Sequence, residues 1–353
     1  VAAILEAKPA ASFKIAAYLV KQTHVQFPSA LTRFYRSLHS SKIDDLKLSR
    51  QLLAALSVSR DSLIIALDWT EWHPPLRMLL ASVISGKRAL PVFAAAFRKN
   101  DIPRSQNTWE NNFLKLLVQN LNSLGKSALF LADRGFRRVS FLKLLLQQKG
   151  HHFIVRLVDQ ITLEDQHGKR LLKTIPLHPG QALDLGWVKL RQDAAVTVRV
   201  IGVWAKGQKE PWWLATDLNL PLHQIASCYD RRMGIEQQIR DSKGGRFGIK
   251  LFWTQIQEPD HLARFMMILA FVLLLLTAIG NAILKIIPSA NFPHPTKGPR
   301  LSFLTIALNY GLDLLPPGSL TMNWLLQNLP PPQCRNFDWI AQLINPAKRH
   351  EKK

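Results

Sequence analysis

At 353 residues, 47% of them hydrophobic, the chain is long enough to bury a sizeable core and to form two or three domains. Its formal charge of +22 favours a polyanionic partner, nucleic acid ahead of a membrane surface, and its only two cysteines, Cys228 and Cys334, exclude a disulfide framework and a cysteine metal cluster. Cations run from Lys14 to Lys353, so the bias belongs to the body of the chain, and residues 1–6 lack the basic leader and the length of a signal peptide.

Residues 1–55 show helical periodicity broken at Pro28 and carry Lys14, Lys21, Arg33, Arg36, Lys42 and Arg50. They read as a helical N-terminal module whose cations either face solvent or meet DNA phosphates. From residue 62 the pattern turns strand-like. The run 62–67 is apolar and partly β-branched, and Asp68 closes it. An apolar stretch near 77–85 follows, then a strand at 89–97, a helix at 107–121, a second buried strand at 128–132 closed by Asp133, and a helix at 137–149. A carboxylate ending a buried strand costs several kcal/mol unless it is paired or metal-bound. Asp133, ahead of Arg134 and Gly135, also suits a helix N-cap.

The stretch from 153 to 216 reads as β-rich, with runs at 153–158, 161–164, 187–190, 195–204 and 212–216 separated by turn signals at Gly168, Pro179-Gly180 and Lys206-Gly207. Residues 229–243 are read as one helix with a capping box at Ser227 and Asp230 and a stop at Gly244-Gly245. On one helix, Tyr229, Arg232, Glu236 and Lys243 share an arc of about 60°, and Arg240 joins them. Such a stripe is either a solvated face with ordinary i,i+4 pairs or a carboxylate framed by phosphate-binding cations, suited to holding a metal at a phosphodiester. Residues 265–284 carry no charge and match the length of a bilayer span; a buried core helix is the preferred reading, and a single-span membrane protein the competing one. Prolines punctuate the region beyond 288, with short helices expected near 302–314 and 320–328.

The spacing of Tyr229, Arg232, Glu236 and Lys243 resembles the Tyr-Arg-Glu-Lys signature of insertion-sequence DDE transposases, the family of insertion sequence four. Asp68 in Asp68-Trp69-Thr70 and Asp133 in Asp133-Arg134-Gly135-Phe136 look like the two catalytic aspartates of that family. The resemblance implies an α/β fold, a ribonuclease-H-like catalytic core with a β-rich insertion and a helical N-terminal module. The divisions expected are 1–55 for that module, 56–158 and 223–287 for the two parts of the core, 159–222 for the insertion, and 288–353 for the C-terminal region. It further implies that Asp68, Asp133 and Glu236 bind two Mg²⁺ or Mn²⁺ ions and cleave transposon ends in double-stranded DNA, whose 3′-OH is then joined to target DNA. Tyr229, Arg232, Arg240 and Lys243 are expected to hold that DNA. Trp213, in a Trp-Leu-x-Thr strand, is either a base-stacking platform or a Trp packed in a sheet. A homodimer on DNA, no membrane, and a cytoplasmic, nucleoid-associated bacterial protein complete the expectation. An inactive, transposase-derived DNA-binding protein is the alternative of a different class.

Overall fold

The computed structural model describes residues 12–40, 43–57, 61–72, 75–86, 88–99, 106–191, 194–243, 254, 256–287, 306–307, 324 and 327–330. Most of the expected C-terminal helices, Gly244-Gly245 and Cys334 lie outside them. The chain divides into two compact units, one of residues 1–60, 69–120 and 234–332, the other of 61–68, 121–233 and 333–353.

The first unit opens with three helices, α1 (Ser12–Thr23), α2 (Phe27–His39) and α3 (Asp45–Leu56). Pro28 starts α2 rather than breaking a helix, as its missing N–H allows in a first turn. Asp44 caps α3 by accepting from the Leu46 and Lys47 amides. Strand β1 (Ser62–Glu71) gives this unit its last residues; the Trp72 amide then donates to the Leu76 carbonyl at 2.9 Å and the chain turns into the hairpin β2 (Leu76–Ser85) and β3 (Arg88–Arg98). The hairpin's register shifts between Ala81 and Ser82, opposite Pro91, whose ring nitrogen has no proton to offer the ladder.

Helix α4 (Gln106–Ser123) stacks Phe113 on Phe93 of β3, ring centroids 4.5 Å apart. Helix α8 (Pro259–Ile286) packs against β3, α2 and α3. It is the one helix among the described residues long and apolar enough to cross a membrane, and 72% of its most apolar window is buried. Burial falls on every side of it, from Leu262 and Phe265 to Ile279 and Ile283, as the preferred sequence reading expects of a core helix. Phe265 meets Phe34 edge-on, and Arg264 bridges to Asp45 at 3.1 Å.

The second unit is one mixed sheet. Its strands are the first part of β1, β4 (Ser127–Ala132), β5 (His151–Arg156), β6 (Thr162–Asp165), β7 (Gly168–Leu171), β8 (Gln181–Arg191), β9 (Ala195–Trp204) and β10 (Trp212–Thr216). They lie in the order β1-β4-β5-β10-β9-β8-β6-β7. The first three are parallel and the rest antiparallel. Helix α5 (Val139–Leu146), shorter than the 137–149 expected, connects β4 to β5 and packs against β5 and β9. The β-rich segment therefore extends the sheet that begins with β1 and β4. Its β7 was not anticipated: residues 168–171 are polar and short, without the alternation that marks a half-buried strand.

Candidate active site

Two strands bring the aspartates together. The parallel register of β1 and β4 runs from Ser62 opposite Ser127 to Leu67 opposite Ala132, so Asp68 and Asp133 are the next residues along adjacent strands, about 4.8 Å apart at the backbone. Asp68 does not close its strand, as the sequence suggested; β1 continues to Glu71. Asp133 does end β4 and caps a 3-10 turn over Arg134–Phe136, its Oδ1 accepting from the Gly135 amide at 2.8 Å. The N-cap reading and the strand-end reading are thus both true of this residue.

The expected single helix over 229–243 is two. Helix α6 (Leu222–Asp230) starts at Pro221, which places Ser227 inside it and rules out the capping box there. The chain then turns at Arg231 and Arg232, with the Arg232 amide donating to the Tyr229 carbonyl at 2.9 Å, before α7 (Met233–Lys243) begins. Tyr229 and Arg232 therefore do not share a helix face with Glu236 and Lys243. Nor is the stripe solvated at its start, because Tyr229 and Arg232 are both buried.

In the second unit Arg232 Nη1 lies 3.5 Å from Asp68 Oδ2, with side chains 10% and 15% exposed. Its guanidinium also sits 5.8 Å from the centre of the Tyr229 ring, and Trp212 meets that ring edge-on at 5.2 Å. Burial pushes the Tyr229 phenol up to about 12, against the charges of Arg232 and Arg156 and with that of Asp133. Arg156 donates to Glu210 at 2.9 Å, and Arg134 shares the same carboxylate at 3.1 Å. Arg134 follows Asp133 directly in the chain, whereas sequence spacing missed Arg156 and Glu210, which meet through the pairing of β5 with β10.

Trp213, read from sequence as either a base-stacking platform or a Trp packed in a sheet, is 3% exposed. Its ring covers Gly202 of β9, where a Cβ would come within 2.4 Å of the indole, so the side chain is packed in the sheet and closed to a base. Trp212, on the other face by strand alternation, is the tryptophan beside Tyr229.

In the first unit α7 is clamped to the hairpin. A Cβ on Gly234 would stand 2.8 Å from the Arg88 carbonyl oxygen, so only glycine lets the helix start this close to β3. One and two turns on, Gln238 accepts from Ser82 at 3.3 Å and Asp241 pairs with Arg88 at 2.6 Å. Glu236, Arg240 and Lys243 occupy a separate stripe at i, i+4 and i+7, Glu236 half-buried and Arg240 exposed. The Lys243 ammonium donates to Thr70 Oγ1 at 2.5 Å and to the Glu71 carbonyl, 5.4 Å from the Trp72 ring centre. It thereby pins the end of the strand that carries Asp68. On that strand Trp69 donates its indole N–H to Glu110 at 2.9 Å, a carboxylate only 1% exposed.

Asp68 and Asp133 offer hard oxygen donors on neighbouring strands, a donor set that fits Mg²⁺ or Mn²⁺ better than a softer ion. Among the described residues no three His, Cys, Asp or Glu side chains are grouped as a metal would need. Glu236 belongs to the other unit.

A mixed α/β fold that sets two aspartates side by side on parallel strands, with guanidinium groups around them, fits the class of proteins that work on phosphodiesters through divalent ions. Residues 96–275, just over half the chain, match the family model described as transposase DDE domain, and the chain belongs to that family. The match takes in Asp133, Trp213, Tyr229, Arg232, Glu236 and Lys243 and begins after Asp68. No curated protein matches the chain. Membership implies a transposase enzyme with DNA as its partner.

Proposed function

We propose that the chain is a DDE transposase of the Tyr-Arg-Glu-Lys type that nicks transposon-end DNA by hydrolysis and joins the freed 3′-OH to target DNA, with Asp68, Asp133 and Glu236 as its carboxylates. The observation that carries the reading is the placement of Asp68 and Asp133 directly after Leu67 and Ala132, the last paired residues of two adjacent parallel strands, inside a chain that matches the family model. Strands β1 to β3, then α4, then β4 parallel to β1 are the order of a ribonuclease-H-like core, which supports that fold assignment.

Two divalent ions, Mg²⁺ or Mn²⁺, held by the three carboxylates would supply an activated oxygen nucleophile and a counter-charge for the leaving oxygen. The protein's own groups prepare the site. Arg232 neutralises Asp68 and offers a guanidinium for a phosphate oxygen. Arg156 and Arg134 extend positive charge past Asp133. Tyr229, buried between Trp212 and the Arg232 guanidinium, is suited to positioning that guanidinium. Lys243 fixes the strand beyond Asp68 while Arg240 faces solvent, open to backbone contact. We place the enzyme in the cytoplasm, acting as a homodimer on DNA.

The test is strand cleavage of a supercoiled plasmid with Mg²⁺. Asp68→Ala, Asp133→Ala and Glu236→Ala should each lower nicking about a thousandfold or more while duplex binding persists. A Glu236→Ala protein that cuts at the wild-type rate would remove that residue from the catalytic set.

A further inference from the structure

The outer face of strands β6 to β9 repeats a pattern that the aspartate site does not use. Valines and leucines on one side of these strands, Leu163, Val188, Leu190, Val196 and Val198, are buried. The opposite side carries Lys169, Glu164, Lys189 and Thr197 in one row across the four strands. Arg191 and Arg199 stand on the same face. Where β8 bulges between Asp184 and Trp187, the indole of Trp187 is set opposite Arg199 and left 53% exposed, the most exposed Phe, Tyr or Trp among the described residues.

The two acids of this face are committed to guanidinium groups. Glu164 pairs with Arg191 at 2.5 Å and Asp184 pairs with Arg199. The Arg191 hydrogen bond holds the Glu164 carboxyl below its usual range, outweighing desolvation, and the charges of Arg191, Lys189 and Lys169 add to it, so both lysines face this carboxylate. Four cations thus stand against two carboxylates around one exposed indole. Protein interfaces are depleted of Lys and Glu at their centres, whereas duplex phosphates are met by ammonium and guanidinium groups, beside which an indole N–H is a further donor.

We infer that the outer face of β6 to β9, with Lys169, Lys189 and Trp187, is a second DNA-binding surface that grips duplex backbone away from the cleavage site. The inference rests on the reading of the chain as a DNA-acting enzyme and adds to it a place on the protein where DNA is held. From β4 to β8 the sheet order crosses β5, β10 and β9, four strand spacings of about 4.8 Å each, or about 19 Å in all. That is about six base pairs at roughly 3.4 Å each. The surface therefore engages only DNA that extends at least that far from the scissile phosphate.

The experiment measures binding of the full chain to fluorescein-labelled random-sequence duplexes of thirty and of six base pairs, across a salt series, by anisotropy. On the longer duplex Trp187→Ala should weaken binding about five- to tenfold through loss of its indole N–H to a phosphate oxygen, and Trp187→Phe, which lacks that donor, should not restore it. Lys169→Ala with Lys189→Ala should lower the slope of log affinity against log salt by about two. The shorter duplex cannot lie on both surfaces at once, so wild type should bind it more weakly and with a smaller salt slope. Lys115→Ala with Lys149→Ala, which removes two exposed lysines elsewhere, is the control. Unchanged affinity and slope in the variants, or an equal loss in the control, overturns the inference while leaving the proposed function standing. A wild-type protein that binds neither duplex and nicks no plasmid overturns both.

Discussion

Two halves of one fifteen-residue signature are held by different forces. Tyr229, in the last turn of a helix of the second unit, and Arg232, in the turn that follows, are buried beside Asp68 and the Trp212 indole. Glu236 and Lys243 lie on a new helix in the first unit, fixed by backbone proximity at Gly234, by the hydrogen bond to Gln238 and by the ion pair of Asp241. The lesson is that a continuous 3.6-residue pattern reports which side chains are polar, not whether the backbone that carries them is continuous.

The electrostatic half should break hardest. Arg232→Ala strips the counter-charge from a carboxylate only 15% exposed, and the expected cost is about 2–3 kcal/mol, near the low end for a broken buried pair because some solvent remains. Urea denaturation should show that loss, and Arg232→Lys should recover part of it; a variant as stable as wild type would mean that the pair contributes nothing to the fold. In the steric half, Gly234→Ala drives a methyl against the Arg88 carbonyl, for about 1–2 kcal/mol of destabilisation and a fall in nicking larger than the fall in stability explains. Wild-type nicking by that variant would show that α7 tolerates displacement.

The smallest effect near neutral pH belongs to Tyr229. Its folded-state phenol is raised from 10.0 to about 12, so the neutral form is favoured by folding. The stability this supplies is complete below pH 10 and lost as pH climbs toward 12. Absorbance at the phenolate band should show one of the four tyrosines titrating late, and Tyr229→Phe should abolish that late step and flatten the alkaline part of the stability curve. A Tyr229 that titrates with the others would contradict its burial.

The aspartates were legible in the sequence because a charged residue at the end of a short apolar run is costly to bury without a purpose, and the ladder between β1 and β4 leaves them in step. The core strands and α4 were legible from the same runs, with ends differing by a few residues. The break at Arg231 and Arg232 was not, since neither residue is a helix breaker and the burial of Arg232 against Asp68 is a long-range contact that no local pattern encodes. Choosing between Trp212 and Trp213 needed the identity of the residue opposite: Gly202 leaves room for an indole on one face only. Arg156 and Glu210 are separated in sequence and meet through the pairing of β5 with β10, which no local pattern encodes.

Helix α8 carries a consequence for how the chain is made. Its apolar length is what a translocating ribosome would present to a membrane-insertion machinery, yet α2, α3 and β3, the elements that cover it, all precede it in the chain. By the time α8 leaves the exit tunnel its docking partners have already been synthesised, so the order of translation makes the cover for this apolar helix available as soon as it emerges.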